Sequence, residues 1–129
     1  MLRALRHPAV WFLAWLGWFG LLWFLSSVEG TPEEPPPFPH FDKFAHFTYF
    51  LIGGFLLTGG TVRCQFKRLQ GKALMVATCL VMAGVGLIDE WHQCFIPGRS
   101  GGDPWDWLAD LLGGTAGAFL LKELHHRNQ

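Results

Sequence analysis

Charge is scarce in this sequence. Asp, Glu, Lys and Arg make up 16% of its 129 residues, and they cancel to a formal net charge of zero. Without a basic surplus, no nucleic-acid partner is expected. Cysteine is scarce too. Cys64, Cys79 and Cys94 fall in a basic loop, mid-helix and near the opposite surface, so neither a disulfide framework nor a thiolate metal site is expected. No H-E-x-x-H zinc motif, glycine-rich phosphate loop, internal repeat or obviously placed Ser or Cys nucleophile occurs.

Apolar residues fill the gap. They form 50% of the chain, with seven Trp and twelve Phe, more than a small water-soluble domain can bury. The run "AVWFLAWLGWFGLLWFLSSV" (9–28) has no charge and matches the roughly 20 helical residues that cross a bilayer core of about 30 Å. "FAHFTYFLIGGFLLTGGTV" (44–62), "ALMVATCLVMAGVGLIDEWHQ" (73–93) and "PWDWLADLLGGTAGAFLLK" (104–122) follow. The expected fold is all-α: a single polytopic membrane domain over 1–129 with four transmembrane helices. The first run is too long and too rich in Trp for a cleaved signal peptide, despite Arg3 and Arg6 before it.

The few charges sort by side. Arg3, Arg6, Arg63, Lys67, Arg68, Lys72, Lys122 and Arg127 fall on one side of the four runs, with only Glu123 among them. Glu29, Glu33, Glu34, Asp42, Asp89, Glu90, Asp103, Asp106 and Asp110 fall on the other, with Lys43 and Arg99. Basic loops stay cytoplasmic, so both termini are expected inside and the acidic side outside. The outer loop 29–41 holds five of the eight prolines and reads as an extended strap. Trp91, Trp105 and Trp107 read as an interfacial belt.

Small residues mark where helices meet in lipid. Gly53, Gly54, Gly59 and Gly60 serve the second helix, Ala83, Gly84 and Gly86 the third, and Gly113, Gly114 and Gly117 the fourth. The first helix is bulkier. Helices 2–4 are therefore expected to form the tight core, with helix 1 at the periphery.

Three helix ends carry polar residues to one depth. Asp42 and His46 are four apart, Asp103, Asp106 and Asp110 three and four apart, and Asp89, Glu90 and Gln93 lie in the last turns of helix 3. Arg99 follows in the loop above. Ionisable groups at this depth are costly unless paired or hydrated, and mark functional sites; the structural alternative is a salt-bridge network closed by Arg99. Two chemistries suit the group. His46, Glu90, Asp106 and Asp110 could hold a divalent metal, or His46, Glu90 and Asp106 could do acid/base work. Asp42, Lys43, Gln93, Arg99 and Asp110 would then bind substrate, Lys43 and Arg99 meeting a phosphate headgroup.

"DKFAHF" (42–47), "DEWHQCFIPGRS" (89–100) and "DWLADLLGGTAG" (106–117), in that order, resemble the VanZ-like membrane protein family over about residues 10–122. The resemblance places the family's polar signature on Asp42, Lys43, His46, Glu90, Gln93, Arg99, Asp106 and Asp110. The family commonly has Asn where Asp110 stands. It implies a bacterial inner-membrane location and an association with glycopeptide resistance, teicoplanin especially, with no settled activity. The expected partners are membrane lipids or a lipid-linked envelope precursor, in a monomer or homo-oligomer. A non-catalytic cation, proton or headgroup binder, and a structural scaffold, are the competing readings.

Overall fold

A computed structural model describes residues 6–30, 37–64 and 69–127. Four helices follow one another: α1 (Pro8–Ser26), α2 (Phe41–Arg63), α3 (Gly71–Gln93) and α4 (Pro104–Arg127). No strand occurs among the described residues. Arg3, Glu33, Glu34, Lys67, Arg68 and residues 31–36 of the proline strap lie outside the described residues.

Helix α2 begins earlier than its apolar run. His40 takes a left-handed conformation at φ 62°, and the Phe44 amide donates to the His40 carbonyl at 3.2 Å. That turn places Asp42 and Lys43 inside the first helical turn. Helix α4 continues past Lys122 to Arg127, since neither Gly nor Pro interrupts "KELHHR".

Helices α1, α2 and α3 are long and apolar enough to cross a membrane. At 1.5 Å per residue, the 19 residues of α1 span about 28 Å. Helix α4 is as long, but Asp106, Asp110, Lys122 and Glu123 dilute its apolar character. Large apolar side chains point outward on every helix: Leu13, Ile52, Leu80 and Phe119 among them. A water-soluble monomer rarely exposes contiguous apolar surface on this scale.

The closest helix pair is α2 with α4, and glycine makes it close. A Cβ on Gly117 would sit 1.9 Å from the Leu51 carbonyl oxygen, and one on Gly54 2.0 Å from that of Gly114. Gly113 meets the Phe47 carbonyl in the same way. Backbone therefore lies against backbone, the gain that small residues offer in lipid. Helix α3 lies on α4, where Met82 fills the space over Gly114.

Helix α1 is the outer layer, with only Trp18, Leu22 and Ser26 buried. It nevertheless claims glycines expected to serve the inner core. Trp18 lies over Gly53, Trp11 over Gly59 and Phe12 over Gly60. Bulky aromatic rings need a notch, and Gly supplies it. Trp18 and Tyr49 add a reciprocal pair: each side chain donates to the other residue's carbonyl at 3.0 Å. A Cβ on Gly84 would meet nothing within 4 Å, so no close helix approach requires this glycine.

Candidate functional site: a split carboxylate cluster

The start of α2, the end of α3 and the start of α4 meet at one end of the bundle. Their polar side chains divide into two groups.

The first group is built around Lys43. Its ammonium donates to Asp42 Oδ2, Asp103 Oδ2 and Asp106 Oδ1, each at 2.9 Å. The loop residue Asp103 also accepts from the Trp105 amide at 2.8 Å, capping α4 with Pro104 at the first position. Lys43 first, and then that amide, hold the Asp103 carboxyl below the usual carboxylate range. Lys43 is thus an internal partner for three acids and is not free for a ligand phosphate.

The second group is deeper. His46 Nδ1 lies 2.9 Å from Asp110 Oδ1, and Asp110 is fully buried. Glu90 Oε2 accepts from the Asp103 amide at 2.8 Å, which ties the two groups together. Asp89 accepts from Ser26 Oγ on α1 and from Gln93 Nε2 at 2.8 Å. Two oxygens remain: Glu90 Oε1 and Asp110 Oδ2 are buried without a hydrogen-bond partner. Unsatisfied buried oxygens of this kind call for a cause, such as an ion or a functional role.

Arg99 does not close a salt-bridge network with the acids. Its Nε donates to the Val28 carbonyl at 3.0 Å and its Nη2 to the Leu25 carbonyl at 2.7 Å. The guanidinium thus holds carbonyls at the end of α1, where a helix dipole welcomes positive charge. It forms no ion pair among the described residues.

The expected metal set of His46, Glu90, Asp106 and Asp110 is split by this arrangement. Ligand atoms of His46, Asp89 and Glu90 lie within 4.8 Å of one another, and those of Asp42, Asp103 and Asp106 form a separate group. Asp89, expected among the outer acids but not as a ligand, and Ser26 join the deeper group. Asp89 carried a signal: with Gly86 and Gln93 it repeats at three and four residues, one helical face. Ser26 carried none, because nothing in the helix 1 sequence says which residue meets α3.

A cavity of about 140 Å³ opens beside the deeper group. Leu22, Leu25, Ala45, Tyr49 and Phe50 give it an apolar lining, and Ser26, His46, Asp89, Gln93 and Arg99 a polar one. A larger cavity of about 620 Å³ lies at the opposite end, between Thr61, Gln70, Lys122 and His126. It lacks such a carboxylate group. Of the belt, Trp91 and Trp105 are exposed, whereas Trp107 turns inward and donates from Nε1 to the Ala83 carbonyl at 3.0 Å. His92 stacks on Trp23 with ring centroids 3.9 Å apart.

Apolar helices with a buried charged cluster at one end define a multi-pass helical membrane protein. The sequence matches the VanZ/LLP1 family over residues 7–125. The chain belongs to that family. Comparison with curated proteins and with solved structures returned no match.

Proposed function

We propose that this chain is a bacterial inner-membrane protein that binds the phosphate-bearing headgroup of an envelope lipid or lipid-linked precursor. In this reading α4 is a fourth crossing, both termini are cytoplasmic, and the carboxylate end faces the periplasm or exterior. The basic residues gathered at the other end support the orientation.

The observation that carries the reading is Arg99 at the rim of the 140 Å³ cavity, its charge unmatched by any carboxylate among the described residues. Two carbonyls, Leu25 in the last turn of α1 and Val28 just beyond it, already fix the guanidinium, so little order is lost when an anion arrives. The mixed lining suits an amphipathic ligand, with acyl or prenyl carbons against Leu22, Leu25 and Phe50 and a phosphate toward Arg99. Water fills about 30 Å³ per molecule, so the cavity matches a headgroup and not a whole lipid. Lys43 and Asp42 act here as scaffold, while His46 and Glu90 are the groups placed to move a proton. Asp106, held by Lys43, orients rather than reacts. A protein that holds a lipid-linked precursor at the outer leaflet also fits the glycopeptide-resistance association of VanZ-like proteins.

The test uses nanodiscs with and without a polyprenyl phosphate. The native chain binds that lipid, and Arg99→Gln weakens binding by about tenfold to a hundredfold, the worth of a charge-assisted hydrogen bond. Equal binding by native and variant protein refutes the reading. Mass spectrometry of the recovered lipid separates a lipid-modifying protein, which changes it, from a binding module, which returns it intact.

A further inference from the structure

The two acidic groups differ in one respect. Asp42, Asp103 and Asp106 surround a cation supplied by the chain, the Lys43 ammonium. Asp89, Glu90 and Asp110 are equally gathered and more deeply buried, yet His46 is the one side chain of basic character among them. Glu90 is 4% exposed and Asp110 0%, and each keeps one oxygen without a partner.

His46 is already oriented. Its Nδ1 faces Asp110 Oδ1 at 2.9 Å; donation there leaves the imidazole lone pair on Nε2. A ligating histidine almost always donates its other nitrogen to a carboxylate or carbonyl in this way. Asp89 is oriented too, by Ser26 and Gln93, and each of its oxygens retains a second lone pair.

We propose that His46 Nε2, Asp89 and Glu90 form a binding site for a divalent transition-metal ion of the Zn²⁺ or Mn²⁺ type, with Asp110 as the carboxylate that orients the imidazole. The donor set of one nitrogen and two carboxylates fits such ions better than the all-oxygen preference of Ca²⁺ or Mg²⁺. One ring nitrogen of His46 and one carboxylate oxygen each of Asp89 and Glu90 lie within 4.8 Å of one another. Tetrahedral ligands about 2.0–2.1 Å from zinc stand roughly 3.3 Å apart, so a modest contraction closes the set. Side-chain rotation alone supplies movements of that size. Three ligands leave a position toward the cavity for water or a phosphate oxygen. The dication offsets two of the three charges that Asp89, Glu90 and Asp110 carry when ionised. The inference does not depend on the lipid reading, because protein atoms alone make the site.

Untagged protein is stripped with chelator, then titrated with Zn²⁺ and Mn²⁺ in lipid-free detergent and analysed for metal after desalting. The protein carries His125→Gln and His126→Gln, which remove the competing histidine pair at the opposite end. About one equivalent of one of the two ions is retained, and Glu90→Gln and His46→Gln each weaken binding by tenfold or more. Co²⁺ loaded into the otherwise native site gives visible d–d bands that Zn²⁺ abolishes, a readout that needs no further substitution. Absence of stoichiometric metal and of the Co²⁺ bands overturns the proposal and leaves protons to neutralise the acids. Undiminished binding in folded His46→Gln protein also overturns it. Lipid binding in the nanodisc assay is scored separately, so either idea can fail alone.

Discussion

Replacing Lys43 by Met removes the ammonium shared by Asp42, Asp103 and Asp106 while keeping a hydrocarbon stem. The Asp106 side chain is 6% exposed and that of Lys43 26%. Removing one partner of a buried ion pair costs roughly 3–5 kcal/mol because the other charge is stranded, against about 0–1 kcal/mol at a surface. Lys43 lies between these limits, so the stranded Asp106 sets an expected loss of about 2–3 kcal/mol. Asp42, more than half exposed, adds little. At about 3 °C per kcal/mol for a chain of this length, the melting temperature falls by about 6–9 °C. A second substitution separates charge from packing. Asp106→Asn on top of Lys43→Met removes the stranded charge, and a double-mutant cycle gives a coupling of about 1–2 kcal/mol. Near-ultraviolet circular dichroism of the tryptophans during heating in bicelles reports both quantities. A Lys43→Met protein that melts within about 1 °C of the native chain refutes the reasoning. So does strict additivity.

Gly117→Val drives a side chain into the Leu51 carbonyl and parts α2 from α4; the cost is at least the usual 1–3 kcal/mol of overpacking. Gly84→Ala, with open space around it, is neutral or stabilising by up to about 1 kcal/mol. Size-exclusion profiles and melting curves of the two proteins check the contrast. The Asp103 carboxyl, held below its ordinary value by Lys43 and the Trp105 amide, binds protons more weakly in the folded than in the unfolded chain. Its stabilisation is full above the unfolded carboxylate pKa of about 4 and is lost as pH falls through the lower folded value. Asp103→Asn therefore flattens the acid limb of stability against pH, measured by tryptophan fluorescence; an unchanged limb contradicts the pairing.

Helices were readable because apolar length and turn chemistry are local properties. The four runs at 9–28, 44–62, 73–93 and 104–122 fall within a few residues of α1 to α4. That Asp42, His46, Glu90, Asp106 and Asp110 gather at one end of the bundle was readable for the same reason, since spacings of three and four place the members of each helix on one face. Partner choice was not readable. Lys43 and Arg99 were both cations near acids in the sequence, but only Lys43 rises from the helix beside α4, while Arg99 lies in a loop that ends over α1. Asp89 and Glu90 are neighbours about 100° apart around α3. Both are buried because α1 supplies Ser26 on one side and the loop before α4 supplies the Asp103 amide on the other. Spacing along one helix does not reveal which neighbour it meets.

The Gly30 amide donates to the Pro97 carbonyl at 3.1 Å, and Gly98, at φ 73°, lies backbone to backbone against Gly30. Together with the two Arg99 bonds, this fastens the last turn of the first helix to the connector between the third and fourth. The rim is therefore a closed hoop whose clasp is the guanidinium beside the cavity. Lifting the first helix away must undo that clasp, so loosening the hoop and releasing Arg99 are a single event.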